Sequence, residues 1–153
     1  ITGGAGYIGS HTIIKLLEKK FKLVVLDNLS NSKLEIIDRI IKLTNRKFDF
    51  VEGDITDRKV LRRIFKNNSI SAVIHFAGLK AVGEAEKYPM KYYENNVMGS
   101  LILFQEMALS GVKKIVFSSS ATVYGEHFKK WGHFHLFESV HTGIGRPHSS
   151  RTI

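Results

Sequence analysis

Three glycines at three-residue spacing, Gly3, Gly6 and Gly9, open this chain in the run Ile1-Thr2-Gly3-Gly4-Ala5-Gly6-Tyr7-Ile8-Gly9-Ser10-His11. Ile13, Ile14, Leu16 and Leu17 follow at helical spacing, so the run predicts a strand-to-helix turn. Such a turn has a particular use. One glycine permits the tight bend, a second lets the backbone approach a pyrophosphate, and the third lets helix and strand pack closely. The helix N-terminus then faces the negative charge. Glycine triplets also occur in ordinary loops, so a second position has to agree. It does: Leu23-Val24-Val25-Leu26 ends in Asp27, eighteen residues beyond Gly9. An acidic residue about 20 positions on, closing the second strand, accepts hydrogen bonds from adenosine ribose hydroxyls and repels a 2′-phosphate. The expected cofactor is therefore NAD rather than NADP.

The turn falls at residue 1 with no initiating Met, so the chain is expected to be a fragment whose first strand survives only as Ile1-Thr2. That strand should be central. Its loss would leave neighbouring backbone groups unpaired and apolar faces open, at about 1–3 kcal/mol for each buried group. An unstable or aggregation-prone product is the expectation.

The rest of the chain alternates strand and helix. Residues 33–45 read as a helix with Leu34, Ile37, Ile40 and Ile41 on one face, and 48–53 as a strand closed by Asp54-Ile55. Thr56 or Asp57 can cap a helix whose apolar face is Val60, Leu61, Ile64 and Phe65. Residues 72–77 are a near-continuous apolar run, as suits a parallel strand buried on both faces. A helical segment over 89–110, with Val97, Leu101, Leu103, Phe104 and Met107 as its packing set, stops at Gly111. A last strand at 114–117 ends in Ser118-Ser119-Ser120. The fold class is α/β: a doubly wound parallel sheet of Rossmann type, truncated at its first strand, with ligands at the strands' carboxyl ends.

Composition narrows the partners. No apolar run approaches the roughly 18 residues a membrane span needs. The chain has no Cys, which excludes disulfides and thiolate chemistry and is compatible with the cytoplasm. The net charge of +9 raises nucleic acid, but Lys19-Lys20, Lys22, Arg62-Arg63 and Lys113-Lys114 form no single tract and are placed at helix ends and connections. No nucleic-acid partner is expected.

Over residues 1–126 the chain resembles the extended short-chain dehydrogenase/reductases, and within them the UDP-glucose 4-epimerases. The glycine turn is the general part of the likeness. The narrower part is Asp27-Asn28-Leu29-Ser30-Asn31-Ser32, His75-Phe76-Ala77-Gly78-Leu79-Lys80-Ala81-Val82-Gly83-Glu84, Tyr92-Tyr93-Glu94-Asn95-Asn96-Val97 and Phe117-Ser118-Ser119-Ser120-Ala121-Thr122-Val123-Tyr124-Gly125. The resemblance implies NAD contacts from Tyr7, Ile8, Asp27, Asn28, Leu29, Ser30, Asn31 and Ser32. It implies others from Asp54, Ile55, Phe76, Ala77, Gly78, Leu79, Lys80 and Asn95. It also implies reversible inversion at C4 of a UDP-sugar, in galactose metabolism, by a complete family member that is a homodimer. There a tyrosine phenolate, favoured by a lysine four residues on, exchanges the 4-hydroxyl proton while NAD exchanges the C4 hydride. Ser120 matches the serine that hydrogen-bonds the reacting oxygen. His75 reads as a packed strand histidine rather than a catalyst.

The tail departs from that pattern. None of Tyr7, Tyr88, Tyr92, Tyr93 and Tyr124 has a lysine four residues on. Residues 127–153 lack apolar periodicity and read as out of frame or disordered, and the chain is expected to lack the C-terminal substrate domain. His127, His133, His135 and His141 show no regular ligand spacing and come without Cys, so no metal site is expected. Two alternatives stay open: another sugar-nucleotide enzyme of the extended type (a dehydratase or decarboxylase), and a dinucleotide-binding module without catalysis. Ala121-Thr122-Val123 puts no carboxylate beside Ser120, which favours the epimerase over the dehydratase.

Overall fold

A computed structural model describes residues 1–119 and the backbone of 138–141. The elements run α1 (Tyr7–Glu18), β1 (Val24–Asp27), α2 (Glu35–Thr44), β2 (Asp49–Glu52), α3 (Arg58–Asn67) and β3 (Val73–His75). They continue with α4 (Val82–Lys87), α5 (Pro89–Tyr92), a π-helical turn (Tyr93–Met98), α6 (Gly99–Leu109), β4 (Lys114–Phe117) and β5 (Glu138–His141). No described helix is long and apolar enough to cross a membrane.

The parallel pairs β1–β2 and β3–β4 are joined through a single residue, Thr2, which bridges Leu26 of β1 and His75 of β3. Leu26 N–H donates to Ile1 O and Gly3 N–H to Leu26 O, both at 2.8 Å. On the other side Thr2 N–H donates to Ile74 O and Phe76 N–H to Thr2 O, both at 3.0 Å. This corrects the expectation of an open seam: Ile1 to Gly3 supply the missing partners, and Val25, Leu26 and Val73 are buried. Beyond β4 the sheet is not parallel. β5 runs antiparallel with Lys114 opposite His141, a reversed edge strand of a kind common on otherwise parallel sheets.

Successive strand residues point to opposite faces, and Val25 and Leu26 show the two layers. Val25 packs with Ile13 and Leu17 of α1 and Ile40 of α2. Leu26 packs with Leu61 and Ile64 of α3, Leu103 and Met107 of α6, Val73 and Ile115. Helices therefore cover both sides of the sheet. Asp57 caps α3, its carboxylate accepting from the N–H groups of Lys59 at 2.8 Å and Val60 at 3.3 Å. Gly111, at φ +72°, ends α6 in the left-handed conformation that glycine adopts without strain.

Helix α6 presents a different face from the one expected. Leu103 and Met107 are buried, but so are Gly99, Ser100 and Glu106, while Val97, Leu101 and Phe104 are exposed. The cause is close approach at Gly99, where a Cβ would stand 2.6 Å from Ile55 Cδ1. The small residues set the contact face and turn the larger apolar side chains outward. Glu106, 1 % exposed, accepts from Arg58 Nη1 at 2.7 Å and from Arg62 Nη2 at 3.0 Å. The Arg62 hydrogen bonds outweigh the opposing effect of burial and hold this carboxyl below its ordinary range. Arg62 thus lies in mid-helix rather than at a helix end, and reaches from a largely exposed position to the buried Glu106.

Candidate functional site

The turn from Gly3 to Gly6 lies across the carboxyl ends of β1 and β3. Gly3 has φ +66°, and a Cβ there would fall 2.5 Å from Ala77 N. At Gly9 a Cβ would fall 2.4 Å from Gly3 O, so α1 rests directly on the turn. The first N–H groups of a helix have no acceptor inside it. No side chain caps α1 at Gly6, and its first turn holds no acidic residue. The result is a helix N-terminus left electropositive, with neighbouring glycines keeping side chains out of the approach.

Asp27 ties that turn to the next loop. Its Oδ2 accepts from Ala5 N–H at 2.9 Å, and its Oδ1 accepts from Leu29 N–H at 2.9 Å and Ser32 Oγ at 3.0 Å. Three of about four carboxylate acceptor positions are used inside the protein. Asn28 in turn donates to Asp54 Oδ2 at 2.6 Å, while Asp54 Oδ1 accepts from Thr56 N–H at 2.8 Å and Thr56 Oγ1 at 2.7 Å. Burial raises the Asp54 pKa, but the bonds from Thr56 and Asn28 together outweigh it and keep the carboxyl below its usual range.

These elements enclose an open cleft with about 560 Å³ of empty space. Of the residues singled out from sequence, Gly3, Gly6, Asp27, Asn28, Ser30, Asn31 and Ser32 line it on one side. Ile55, Phe76, Ala77, Gly78, Leu79 and Asn95 line the other. Six others do not line it. Gly9 is buried against Gly3, and Tyr7 and Ile8 lie exposed on the first turn of α1. Leu29, at φ +55°, contributes its N–H to Asp27, and Lys80 is exposed. Asp54 lines an adjoining groove with Thr56, Glu84 and Lys91. Ser120 lies outside the described residues. Leu26 and Gly53 line the cleft without having been singled out.

Beneath the cleft, His75 is 2 % exposed and serves structure. Ser100 Oγ donates its one proton to Asn96 O at 2.5 Å, so His75 Nε2 must donate to Ser100 Oγ at 2.9 Å. Nδ1 is then the acceptor, taking a bond from Thr2 Oγ1 at 2.5 Å. Burial first, and the charge of Lys80 next, push the imidazole pKa down to about 4. The sign of the pH effect follows. Above the ordinary value of 6.5 the ring is neutral in both folded and unfolded chains. Between 6.5 and about 4 only the unfolded chain takes the proton. This residue should therefore remove about 3 kcal/mol of stability across that window. Urea midpoints from pH 7 to pH 4.5 should fall more steeply for the native chain than for His75→Gln; equal slopes would contradict the neutral assignment.

Asn96, which sequence reasoning passed over, grips the far wall. Its Oδ1 accepts from Leu79 N–H at 2.8 Å and its Nδ2 donates to Leu79 O at 2.9 Å. It lies in the π-helical turn, a distortion that often marks functional sites. The Asn95-Asn96 doublet is the only trace of this in the sequence.

A two-faced α/β sheet, a bare helix N-terminus over a glycine turn and an acidic residue closing the adjacent strand define a Rossmann-type domain. The family model for the NAD dependent epimerase/dehydratase family matches residues 1–142, and the chain belongs to that family. It is similar to UDP-glucose 4-epimerase of Neisseria meningitidis serogroup C, 60% identical over 126 residues, covering 82% of this chain and 37% of that protein. UDP-glucose 4-epimerase of Bacillus subtilis strain 168 is 57% identical over 125 residues, with the same shares. Among solved structures, UDP-glucose 4-epimerase from Bifidobacterium longum in complex with NAD+ and UDP superposes at a TM-score of 0.80. It is 47% identical, over 81% of this chain and 37% of that one. The chain thus spans about 37% of the length of the relatives it matches.

Proposed function

We propose that this chain is the cofactor-binding part of a UDP-glucose 4-epimerase, holding NAD for reversible inversion at C4 of UDP-glucose and UDP-galactose. The observation that carries the reading is the Ala5–Asp27 hydrogen bond, which fixes the uncapped start of α1 and the acidic end of β1 on one cleft. The residues fit the cofactor. The N–H groups opening α1 would hold the pyrophosphate, and the glycines leave the space a Cβ would fill. The acceptor position left open on the Asp27 carboxylate would take a ribose hydroxyl, and its charge would reject a 2′-phosphate. Asn28, Ser30, Asn31 and Ser32 would border the adenosine, and Phe76 to Leu79, with Asn95, the other half of the dinucleotide. Tyr7, Ile8, Leu29, Asp54 and Lys80 would contact it from the rim. When bound, NAD supplies the hydride acceptor and donor. Ser120 would hydrogen-bond the reacting oxygen.

The second reading, binding without turnover, is favoured by one sequence fact: no tyrosine in the chain has a lysine four residues on. Purified protein should release NAD on heat denaturation. Conversion of UDP-galactose by the same sample supports the epimerase, retention without conversion supports the binding module, and protein free of NAD at saturating cofactor overturns both. We also propose a cytoplasmic, homodimeric protein with no nucleic-acid partner. A cysteine-free chain suits that compartment, and the exposed apolar stripe of Tyr93, Val97, Leu101 and Phe104 suits a face covered by a second copy.

A further inference from the structure

We infer that Asn96 is a positioning residue that locks the neighbouring Asn95 carboxamide in one orientation, leaving the Asn95 oxygen to accept from a ribose hydroxyl of the bound dinucleotide. The inference rests on the NAD reading above and deepens it.

Donors and acceptors alone fix the arrangement. A backbone N–H can only donate and a backbone C=O can only accept. Leu79 presents one of each to Asn96, so the Asn96 amide has a single arrangement that satisfies both, with Oδ1 on the N–H and Nδ2 on the carbonyl. Asn96 Oδ1 is then fixed as an acceptor, and Asn95 must turn its NH₂ toward it, at 2.8 Å. A flipped Asn95 would set two carbonyl oxygens against each other. Asn96 Oδ1 now carries two bonds, one for each lone pair. Asn95 lines the cleft. Its Nδ2 is held at Asn96 through one of its two N–H groups, so the other side of the carboxamide carries its carbonyl-type oxygen. Such an atom accepts from hydroxyl groups and repels phosphate oxygens. The opposite wall also offers an acceptor, the one carboxylate position of Asp27 that Ala5, Leu29 and Ser32 leave open. The two sides of the cleft therefore suit sugar hydroxyls, and the helix N-terminus between them suits the phosphates.

The lock is itself anchored. The main-chain oxygen of Asn96 takes the proton of Ser100, which His75 and Thr2 hold from below. The orientation of one carboxamide at the cleft thus depends on a line of bonds reaching the centre of the sheet.

The test uses the full chain, NAD, and a set of NAD analogues each lacking one ribose hydroxyl. The native chain should bind one analogue about five- to tenfold more weakly than NAD. Asn96→Ser, which removes the lock, should bring that ratio to near unity, and Asn96→Ser/Asn95→Ser should do no more than either change alone. In Asn96→Asp an ionised carboxylate would set an oxygen against Leu79 O. The protonated acid keeps acceptors for Leu79 N–H and the Asn95 NH₂ and donates to Leu79 O, so discrimination should return as the introduced carboxyl is protonated. Loss of affinity for NAD and all analogues by one common factor in Asn96→Ser would show a merely structural role and overturn the inference. Absence of discrimination in Asn96→Asp with the introduced carboxyl protonated would overturn it too, and this arm stands even where Asn96→Ser does not fold. A native chain that binds NAD and distinguishes the analogues just as Asn96→Ser does refutes the inference and leaves the NAD reading intact. A native chain that binds no NAD refutes both.

Discussion

Gly3→Ala should cost about 2–5 kcal/mol, the sum of a left-handed residue that gains a Cβ and of overpacking against backbone. The φ of +66° is open to glycine without penalty, and the atoms a Cβ would meet are Ala77 N at 2.5 Å, Ala77 Cα at 2.7 Å and Phe76 C at 2.7 Å. None is the mobile end of a side chain. Relief would require moving the end of β3, and with it the parallel bonds between Thr2 and its two neighbours. Against a total stability of about 5–15 kcal/mol, a large part of the folded margin is lost. Gly83→Ala is the control: none of the described residues lies within 4 Å of a Cβ built there, and it sits inside α4. It should be neutral or raise stability by up to about 1 kcal/mol. Urea unfolding followed by circular dichroism separates the two. A Gly3→Ala midpoint matching that of the native chain would mean the turn has room that its geometry denies.

The second large effect lies away from the cleft. Replacing Arg58 and Arg62 together with methionine strands the Glu106 carboxylate, at a cost of about 3–5 kcal/mol near neutral pH. Glu106→Gln should cost less, because both arginines keep side chains partly in water, 41% and 61% exposed, and can be solvated where they stand. The asymmetry is the informative part: the buried partner is the expensive one to leave alone. The pH dependence has a definite sign. In the native chain the carboxyl is held below its ordinary value of 4.5, so its contribution is complete above 4.5 and is lost as pH falls through the lower folded value. In the double variant, burial without partners raises the carboxyl, and protonation then relieves the strain. The deficit between the two chains should shrink as pH is lowered through that region. A deficit independent of pH would mean that the arginines act through packing of their stems rather than through charge.

How far the sequence could be read follows from what each residue type constrains. The glycine turn, the strand ends and Asp27 were legible because each requires a rare property at a fixed place: a positive φ, a close approach, or a carboxylate at a strand terminus. A cap at Thr56 or Asp57 was legible too, and the structure places it at Asp57. Helix α6 was not. Its apolar residues surround the axis, so periodicity shows a helix without showing which side is buried, and the choice fell on large side chains when the contact was made by Gly99 and Ser100. Glu106 had no local signal either. Its signal lay on another element, in two arginines four residues apart on α3, and pairing them needed the fold. The antiparallel direction of β5 likewise depends on which edge it meets and not on its own residues. Asn96 was hidden by its neighbour, because an amide pair shows that hydrogen bonds are wanted but not which partners will supply them.

The stitching of the sheet through Thr2 has a consequence for the order of assembly. The β1–β2 and β3–β4 pairs each close within a modest stretch of chain, the first around α2 and the second around the helices from α4 to α6. Thr2 meets His75 across 73 positions, so joining the halves draws on the longest loop closure in this sheet. The halves can form early, and the residues at the head of the chain act as a late fastener. Exchange of the amide protons on Thr2 and Phe76 would time that last event.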